Sequence, residues 1–342
     1  KKHINTFTVP MNLDDNRKKI IQKAFHYHAQ GEIYKASLYY QEFLDKGFLD
    51  HKVLFNYGII CEQYGKTNCA IKLYRKSINI FPDSLESYFN LAKLMRGKGK
   101  LDEAKKIILE SIRINPNCAI AYDNMGIIYK DLGDLKKAEI YTRKAIKINP
   151  KFAEAYFNLS NTLKKIRKYK EAESAVLKAI ELKPSFAEAH NNYGSILYSL
   201  GKSDEAEIAI KKAIEMNKNL VEAYSNLARI LRETCKYEKA EDYIRKAIEI
   251  KPNSADSYSN LGNILKDLGK LNEAERALIQ AIKIKPDFND AIFNLSLIQL
   301  LKGDYKNGLK NYEYRFKKIN PIKPHFNKIL SLFKEYELKK DN

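Results

Sequence analysis

Residues 255–288 read ADSYSNLGNILKDLGKLNEAERALIQAIKIKPDF, and the stretches on either side are variations on this one. Stepping back 34 residues at a time from Pro286 lands on Pro252, Lys218, Pro184, Pro150, Pro116 and Pro82, a single proline position with one replacement. A fixed period of this length marks stacked helical hairpins, each too small to bury its apolar face alone. With positions numbered 1 to 34 from Ala255, position 8 is small throughout: Ala24, Gly58, Ala92, Gly126, Ser160, Gly194, Ala228, Gly262 and Ser296. Position 20 is Ala36, Ala70, Ala104, Ala138, Ala172, Ala206, Ala240 and Ala274, and it lapses only to Gly308. Two small rows in register predict two helices in close approach.

Each unit carries two helical patterns. In 153–186 the first has Tyr156, Leu159, Ser160 and Leu163 on one face, and the second has Ala172, Val176, Ala179 and Ile180 facing back. Between them position 15 is glycine in Gly65, Gly99, Gly133, Gly201, Gly269 and Gly303, where the chain leaving a helix turns left-handed. Arg167 and Cys235 replace it in two units, which predicts strained or differently shaped turns there. The proline position ends the second helix by removing a donor and restricting the residue before it. Lys218 leaves room for the second helix of 187–220 to run longer.

The unit resembles the tetratricopeptide repeat, whose signature is matched by Tyr258, Leu261, Gly262, Leu265, Ala274, Leu278, Ala281 and Pro286. The resemblance implies an all-α fold, a right-handed superhelical solenoid of antiparallel helix pairs. Nine copies fit at 17–50, 51–84, 85–118, 119–152, 153–186, 187–220, 221–254, 255–288 and 289–322, covering about nine tenths of the chain. The first carries Lys23 where the pattern has Leu, as expected of a cap that turns one face to water. Residues 1–16, with Pro10, read as a leader or linker. Residues 323–342 read as a capping helix with Phe326, Ile329, Leu330, Phe333 and Tyr336 on one face, or as the start of a bridge to a further domain. Residues 303–316 (GDYKNGLKNYEYRF) resemble the closing repeat that precedes glycosyltransferase-like domains in some bacterial tetratricopeptide proteins. Gly308, Tyr312, Glu313 and Arg315 match that pattern, and Leu309 stands where an aromatic is common.

The 342 residues carry a net charge of +19. Such a balance invites a nucleic-acid partner, but Lys is spread over all units with acids between, so most of this charge reads as solvated helix faces and a nucleic acid is disfavoured. No apolar run is long enough to span a bilayer. Cys61, Cys69, Cys118 and Cys235 form no C-x-x-C pair and have no His at ligand spacing, so they read as ordinary thiols in a reducing, cytoplasmic compartment with neither metal nor disulfide framework. His26 and His28 are ~200° apart around a helix, and His190 occupies an aromatic core position. No nucleophile elbow, phosphate loop or cofactor motif is present, so this segment reads as non-catalytic.

In the repeat family the first helices line the inner surface, which places positions 2, 5, 6, 9 and 12 on a groove. Position 6 is Asn56, Asn90, Asn124, Asn158, Asn192, Asn226, Asn260 and Asn294, while positions 5 and 9 vary. Asn is a mediocre helix former, so its recurrence asks for a reason. A primary amide offers donor and acceptor and can bond a peptide backbone whatever its side chains. Rungs roughly 8–10 Å apart would meet about every third residue of an extended chain rising about 3.3 Å per residue. The row resembles the asparagine ladder of O-linked N-acetylglucosamine transferases, which implies substrate-peptide binding; the alternatives are bonds to the adjoining repeat, or the imprint of duplication. Position 12 adds a basic row, Arg96, Lys130, Lys164, Arg232 and Lys266, with Lys93 and Arg229 at position 9. Such a row favours an acidic or phosphorylated segment, or simply completes helix dipoles. Phe55, Phe89, Phe157 and Phe293 at position 5 read first as packing between repeats. The expectation is a protein-interaction scaffold for an extended peptide. Its rivals are the substrate-selecting arm of a larger glycosyltransferase and a nucleic-acid-binding solenoid.

Overall fold

A computed structural model describes residues 13–317, and within that range every regular element is a helix. The elements come in pairs: α1 (Leu13–Ala29) with α2 (Ile33–Asp45), α3 (His51–Gln63) with α4 (Thr67–Ile80), α5 (Leu85–Gly97) with α6 (Leu101–Ile114), and α7 (Ala119–Asp131) with α8 (Leu135–Ile148). Then follow α9 (Ala153–Lys165), α10 (Tyr169–Leu182), α11 (Ala187–Ser199), α12 (Ser203–Met216), α13 (Val221–Glu233), α14 (Tyr237–Ile250), α15 (Ala255–Asp267) and α16 (Leu271–Ile284). The described chain closes with α17 (Asn289–Leu301), the short α18 (Tyr305–Tyr312) and a 3-10 turn at Glu313–Phe316. Helix α1 starts at Leu13, inside the stretch read from sequence as leader. Pro321 and the amphipathic segment at Phe326–Tyr336 lie outside the described residues.

The chain divides into two compact units, Lys1–Arg167 and Lys168–Asn342. In the first, α1 packs on α2, α3 on α4, α5 on α6 and α7 on α8, and each second helix also packs on the first helix of the following pair. The first helices α5, α7 and α9 touch in succession. The second unit repeats the scheme, α11 on α12 through α17 on α18, with α11, α13, α15 and α17 touching in turn. Leu227, Ile230 and Leu231 of α13, Ile244 of α14 and Leu278 of α16 are fully buried in its core. Each such side chain contributes about 1.5–3 kcal/mol by leaving water.

The small rows have a direct steric cause. A Cβ on Gly262 would lie 2.6 Å from Cγ of Leu278 and 3.3 Å from the backbone oxygen of Ala274. Position 8 of the first helix therefore meets positions 20 and 24 of the second. At Gly126 the same approach is to Thr142 and the Ala138 oxygen, and at Gly194 to Ile210 and the Ala206 oxygen.

At position 15 the glycines have φ between 70° and 83°, and Arg167 (62°) and Cys235 (58°) adopt the same left-handed turn. The two replacements thus keep the shape and accept the strain of a Cβ in that region. Lys218 does not lengthen its helix: α12 ends at Met216, as α10 ends at Leu182 one residue before the prolyl peptide's partner, Lys183. The stop comes from position 31, where Asn217 is extended (φ −140°, ψ 95°) and its side chain accepts the Asn219 amide at 3.0 Å. Asn115 and Asn149 make the same turn onto Asn117 and Lys151. A side-chain oxygen that caps its own turn ends the helix whether or not proline follows.

Candidate functional site

The position-6 asparagines all sit in the second turn of a first helix, on α3, α5, α7 and α9 in the first unit and on α11, α13, α15 and α17 in the second. Asn192 is buried and the others are half-buried. Several are tied to the preceding repeat. Nδ2 of Asn158 donates to Oδ2 of Asp123 at 2.9 Å, and Nδ2 of Asn226 donates to Oδ1 of Asn191 at 3.0 Å. Both acceptors are at position 5 of the repeat before. Asn90 donates to the Tyr74 hydroxyl at 3.5 Å, and Asn56 bonds the Tyr40 hydroxyl. Tyr40 is pushed up to about 12, chiefly by burial, with Asn56 opposing the shift. Asn124 and Asn260 have no such bond among the described residues. The bond to the adjoining repeat, one of the sequence alternatives, is thus present at no fewer than four of the eight rungs. It uses one amide hydrogen and leaves Oδ1 as an acceptor.

Asp123 was missed from sequence. Its side chain is 5% exposed on α7, and Oδ1 is buried with no hydrogen-bond partner among the described residues. Burial raises its carboxyl from 3.8 to about 6, against the opposing pull of the Asn158 amide and the Lys130 ammonium; Glu154 adds to the rise. Burial also lowers Lys130, which faces Lys165 and Arg96 as well as Asp131 and Asp123.

The basic row is not a free stripe of cations. Nε of Arg96 lies 3.2 Å from Oδ2 of Asp131, and Nε of Arg232 lies 2.5 Å from Oδ2 of Asp267. Lys266 sits 3.5 Å from Oδ1 of that same Asp267, Lys93 pairs with Glu62, and Arg229 stacks at 4.7 Å on the Tyr198 ring. Tyr198 in turn donates to Glu233. Position 12 of one repeat therefore latches onto position 13 of the next, in Arg96–Asp131, Tyr198–Glu233 and Arg232–Asp267. Lys130 meets Lys165 at that place instead of an acid. Lys164 also has partners of its own. The acids at position 13 were the readable signal for these latches, one column beside the column that drew attention.

Other groups fall into structural roles. Phe55 packs on Tyr74 with ring centres 5.9 Å apart and Phe293 on Tyr312 at 5.5 Å, so these position-5 aromatics pack between helices. His190 is buried with Nε2 3.0 Å from the Pro184 oxygen, and burial holds its pKa below the usual imidazole value. Arg315 lies over the rings of Tyr312 and Phe316 and bonds the Tyr312 oxygen and Glu313, so three of the matched closing-repeat residues form one local cluster, while Gly308 meets Leu300. Cys61 and Cys69, unrelated by sequence spacing, are brought to 3.2 Å between sulfurs. Among the described residues no helix is long and apolar enough to cross a membrane.

Within each unit the arrangement provides a row of amides on successive first helices and latched charges beside it. Tetratricopeptide-repeat family models match residues 73–106, 119–152, 141–174, 185–253, 219–287 and 259–321. Together these matches run through most of the described chain, and the chain belongs to the tetratricopeptide-repeat family. Among solved structures, the APC/C hetero-tetramer Cut9-Hcn1 contains a chain that aligns over 90% of this one with a TM-score of 0.64 and 15% identity. The alignment spans 64% of that chain's length. A tetratricopeptide repeat protein from Parabacteroides merdae ATCC 43184 aligns over 73% of this chain and 98% of its own, with a TM-score of 0.63 and 20% identity. At these identities the likeness shows the fold. A stretch of 64 residues is 34% identical to the uncharacterized protein YgeG of Escherichia coli (strain K12), spanning 19% of this chain and 39% of that protein.

Proposed function

We propose that this chain is a non-catalytic protein-interaction scaffold in which the first-helix face of each unit holds an extended peptide segment by its backbone. The nine 34-residue repeats from 17 to 322 are its working units. The observation that carries the reading is the asparagine at position 6 of eight successive repeats, where packing demands only small or apolar residues at the neighbouring core positions. Where Nδ2 is tied to the preceding repeat, the amide plane is fixed in advance and Oδ1 is set to accept a peptide N–H. Fixing the acceptor beforehand reduces the ordering cost of binding. Each rung contributes only about 0.5–1.5 kcal/mol net, so affinity comes from several rungs on one guest.

Because Arg96, Arg232 and Lys93 are answered by Asp131, Asp267 and Glu62, selection for an acidic guest is weak. Backbone geometry, more than charge, defines the partner: an unfolded or extended protein segment with free amides.

The test selects binders from a random peptide library on the full chain and measures affinity by fluorescence polarisation. Asn124→Ala and Asn260→Ala remove rungs whose side chains make no hydrogen bond among the described residues. Each substitution is expected to weaken peptides seated in its own unit by about 2- to 10-fold, in line with the energy per rung. N-methylation of the peptide backbone at every third residue should abolish binding. Selected peptides that bind as tightly after N-methylation would refute backbone reading.

A further inference from the structure

The sulfurs of Cys61 and Cys69 lie 3.2 Å apart, one on the last turn of α3 and one on the first turn of α4. They occupy positions 11 and 19 of one repeat, which face each other across the hairpin. Cys61 is 2% exposed and Cys69 is half-buried. A cavity of about 320 Å³ opens beside the pair, lined by Tyr34, Tyr57, Tyr64, Lys66 and Cys61 itself. Both sit against the apolar core of this repeat, and the Cys61 thiol donates to Sγ of Cys69.

We propose that Cys61 and Cys69 form a dithiol that closes to an intrahairpin disulfide on reaction with a small-molecule disulfide such as glutathione disulfide. The more accessible Cys69 reacts first. Its thiol loses a proton to solvent, and the thiolate attacks one sulfur of glutathione disulfide. The Cys69–glutathione bond forms and one glutathione thiolate leaves. The thiol of Cys61, deprotonated in turn, attacks Sγ of Cys69 and expels the second glutathione. Two protein thiols and one glutathione disulfide become one protein disulfide and two glutathione thiols, so hydrogens and electrons balance.

The local chemistry favours this order. Cys69 is half-buried whereas Cys61 is 2% exposed, so an oxidant in solvent reaches Cys69 first. Cys61 itself is pushed up to about 12, first by burial and then by the hydrogen bond and charge of Cys69, with the Lys66 ammonium opposing. Once Cys69 is capped as a mixed disulfide the two contributions from Cys69 disappear, and Cys61 becomes easier to ionise at the moment its attack is needed. The product ties α3 to α4 in the repeat that carries Asn56. This site is independent of peptide binding and stands or falls without it.

The experiment exposes the folded full chain to glutathione disulfide, blocks remaining thiols with N-ethylmaleimide at low pH and maps the peptides by mass spectrometry. The expected product is a Cys61–Cys69 crosslink two hydrogens lighter than the reduced pair. In Cys61→Ser, Cys69 should stop as a glutathione adduct. In Cys69→Ser, Cys61 should be modified at least tenfold more slowly than the pair in the natural chain. Exposed Cys235 reports that the oxidant acted. Glutathionylated Cys235 beside unmodified Cys61 and Cys69 would overturn the proposal, as would a natural chain whose Cys69 keeps its glutathione without closing.

Discussion

Replacing Asp123 by Asn should change the way stability depends on pH, by an amount set by the burial of this one carboxyl. In the fold its pKa is about 6 against an ordinary 3.8, with burial the leading cause. The ionised form is therefore disfavoured in the folded state. The stability carried by neutral Asp123 is present below the unfolded value, is lost as pH rises from 3.8 through about 6, and stays lost above that. At about 1.4 kcal/mol per tenfold change, the full loss is ~3 kcal/mol, of which ~2–3 kcal/mol falls between pH 4 and pH 7.5. Asn at this place is neutral throughout. It can still accept from Asn158, and its own amide meets the unpartnered environment of Oδ1 at a cost that does not vary with pH. Subtracting the variant from the natural chain at each pH cancels every other titrating group. Urea unfolding followed by helical circular dichroism at pH 4 and 7.5 should show Asp123→Asn gaining ~2–3 kcal/mol on the natural chain as pH rises, and a carboxyl-carbon NMR titration should place Asp123 near 6. A gap that is the same at both pH values, or a carboxyl that titrates near 4, would refute the account of burial given for this site.

Three further outcomes rest on separate features. Cys235→Gly should stabilise the second unit by ~1 kcal/mol, because it relieves a Cβ held at φ 58°; thermal unfolding measures it, and a lowered midpoint would argue against strain. Gly262→Val should cost about 1–3 kcal/mol, since its side chain must displace Leu278 where even a Cβ is 2.6 Å from Cγ; unfolding in urea without loss of midpoint would contradict the close approach of α15 and α16. A double-mutant cycle on Arg232 and Asp267 should give a coupling of only ~0.2–1 kcal/mol, because both side chains retain contact with water (31% and 20% exposed); the coupling should shrink in 1 M salt, and a coupling indifferent to salt would mean the pair is not held by charge.

The fold was legible because its demands fall in single columns of the repeat. Position 8 must be small to admit positions 20 and 24, as Gly262 shows against Leu278 and the Ala274 oxygen, and position 15 must turn left-handed in every repeat. Each demand recurs every 34 residues, so stepping by that number exposes it. Where Lys218 interrupts the proline column the helix still stops, because Asn217 at position 31 caps its own turn, a local device that Asn115 and Asn149 share beside their prolines.

The chemistry of the face was harder to read for a related geometric reason. Asn158 reaches Asp123, Asn226 reaches Asn191, Tyr198 reaches Glu233 and Arg232 reaches Asp267, each across a separation of 35 residues. That is one period plus one, so the two partners always occupy adjacent columns and neither column looks special when read alone. Position 12 taken by itself looks like a cationic stripe; read with position 13 it becomes a series of inter-repeat latches. The same holds inside one hairpin, where positions 11 and 19 bring Cys61 to Cys69. The bonds of the asparagine row are partial. A latch that consumes both charges leaves little for a guest, whereas an amide that gives one hydrogen to the preceding repeat keeps its oxygen. Position 6 can therefore hold neighbouring repeats in register, and on the function proposed above its oxygens would still accept from an extended chain, whereas position 12 varies from Arg, Lys and Tyr to Glu62 and Leu300.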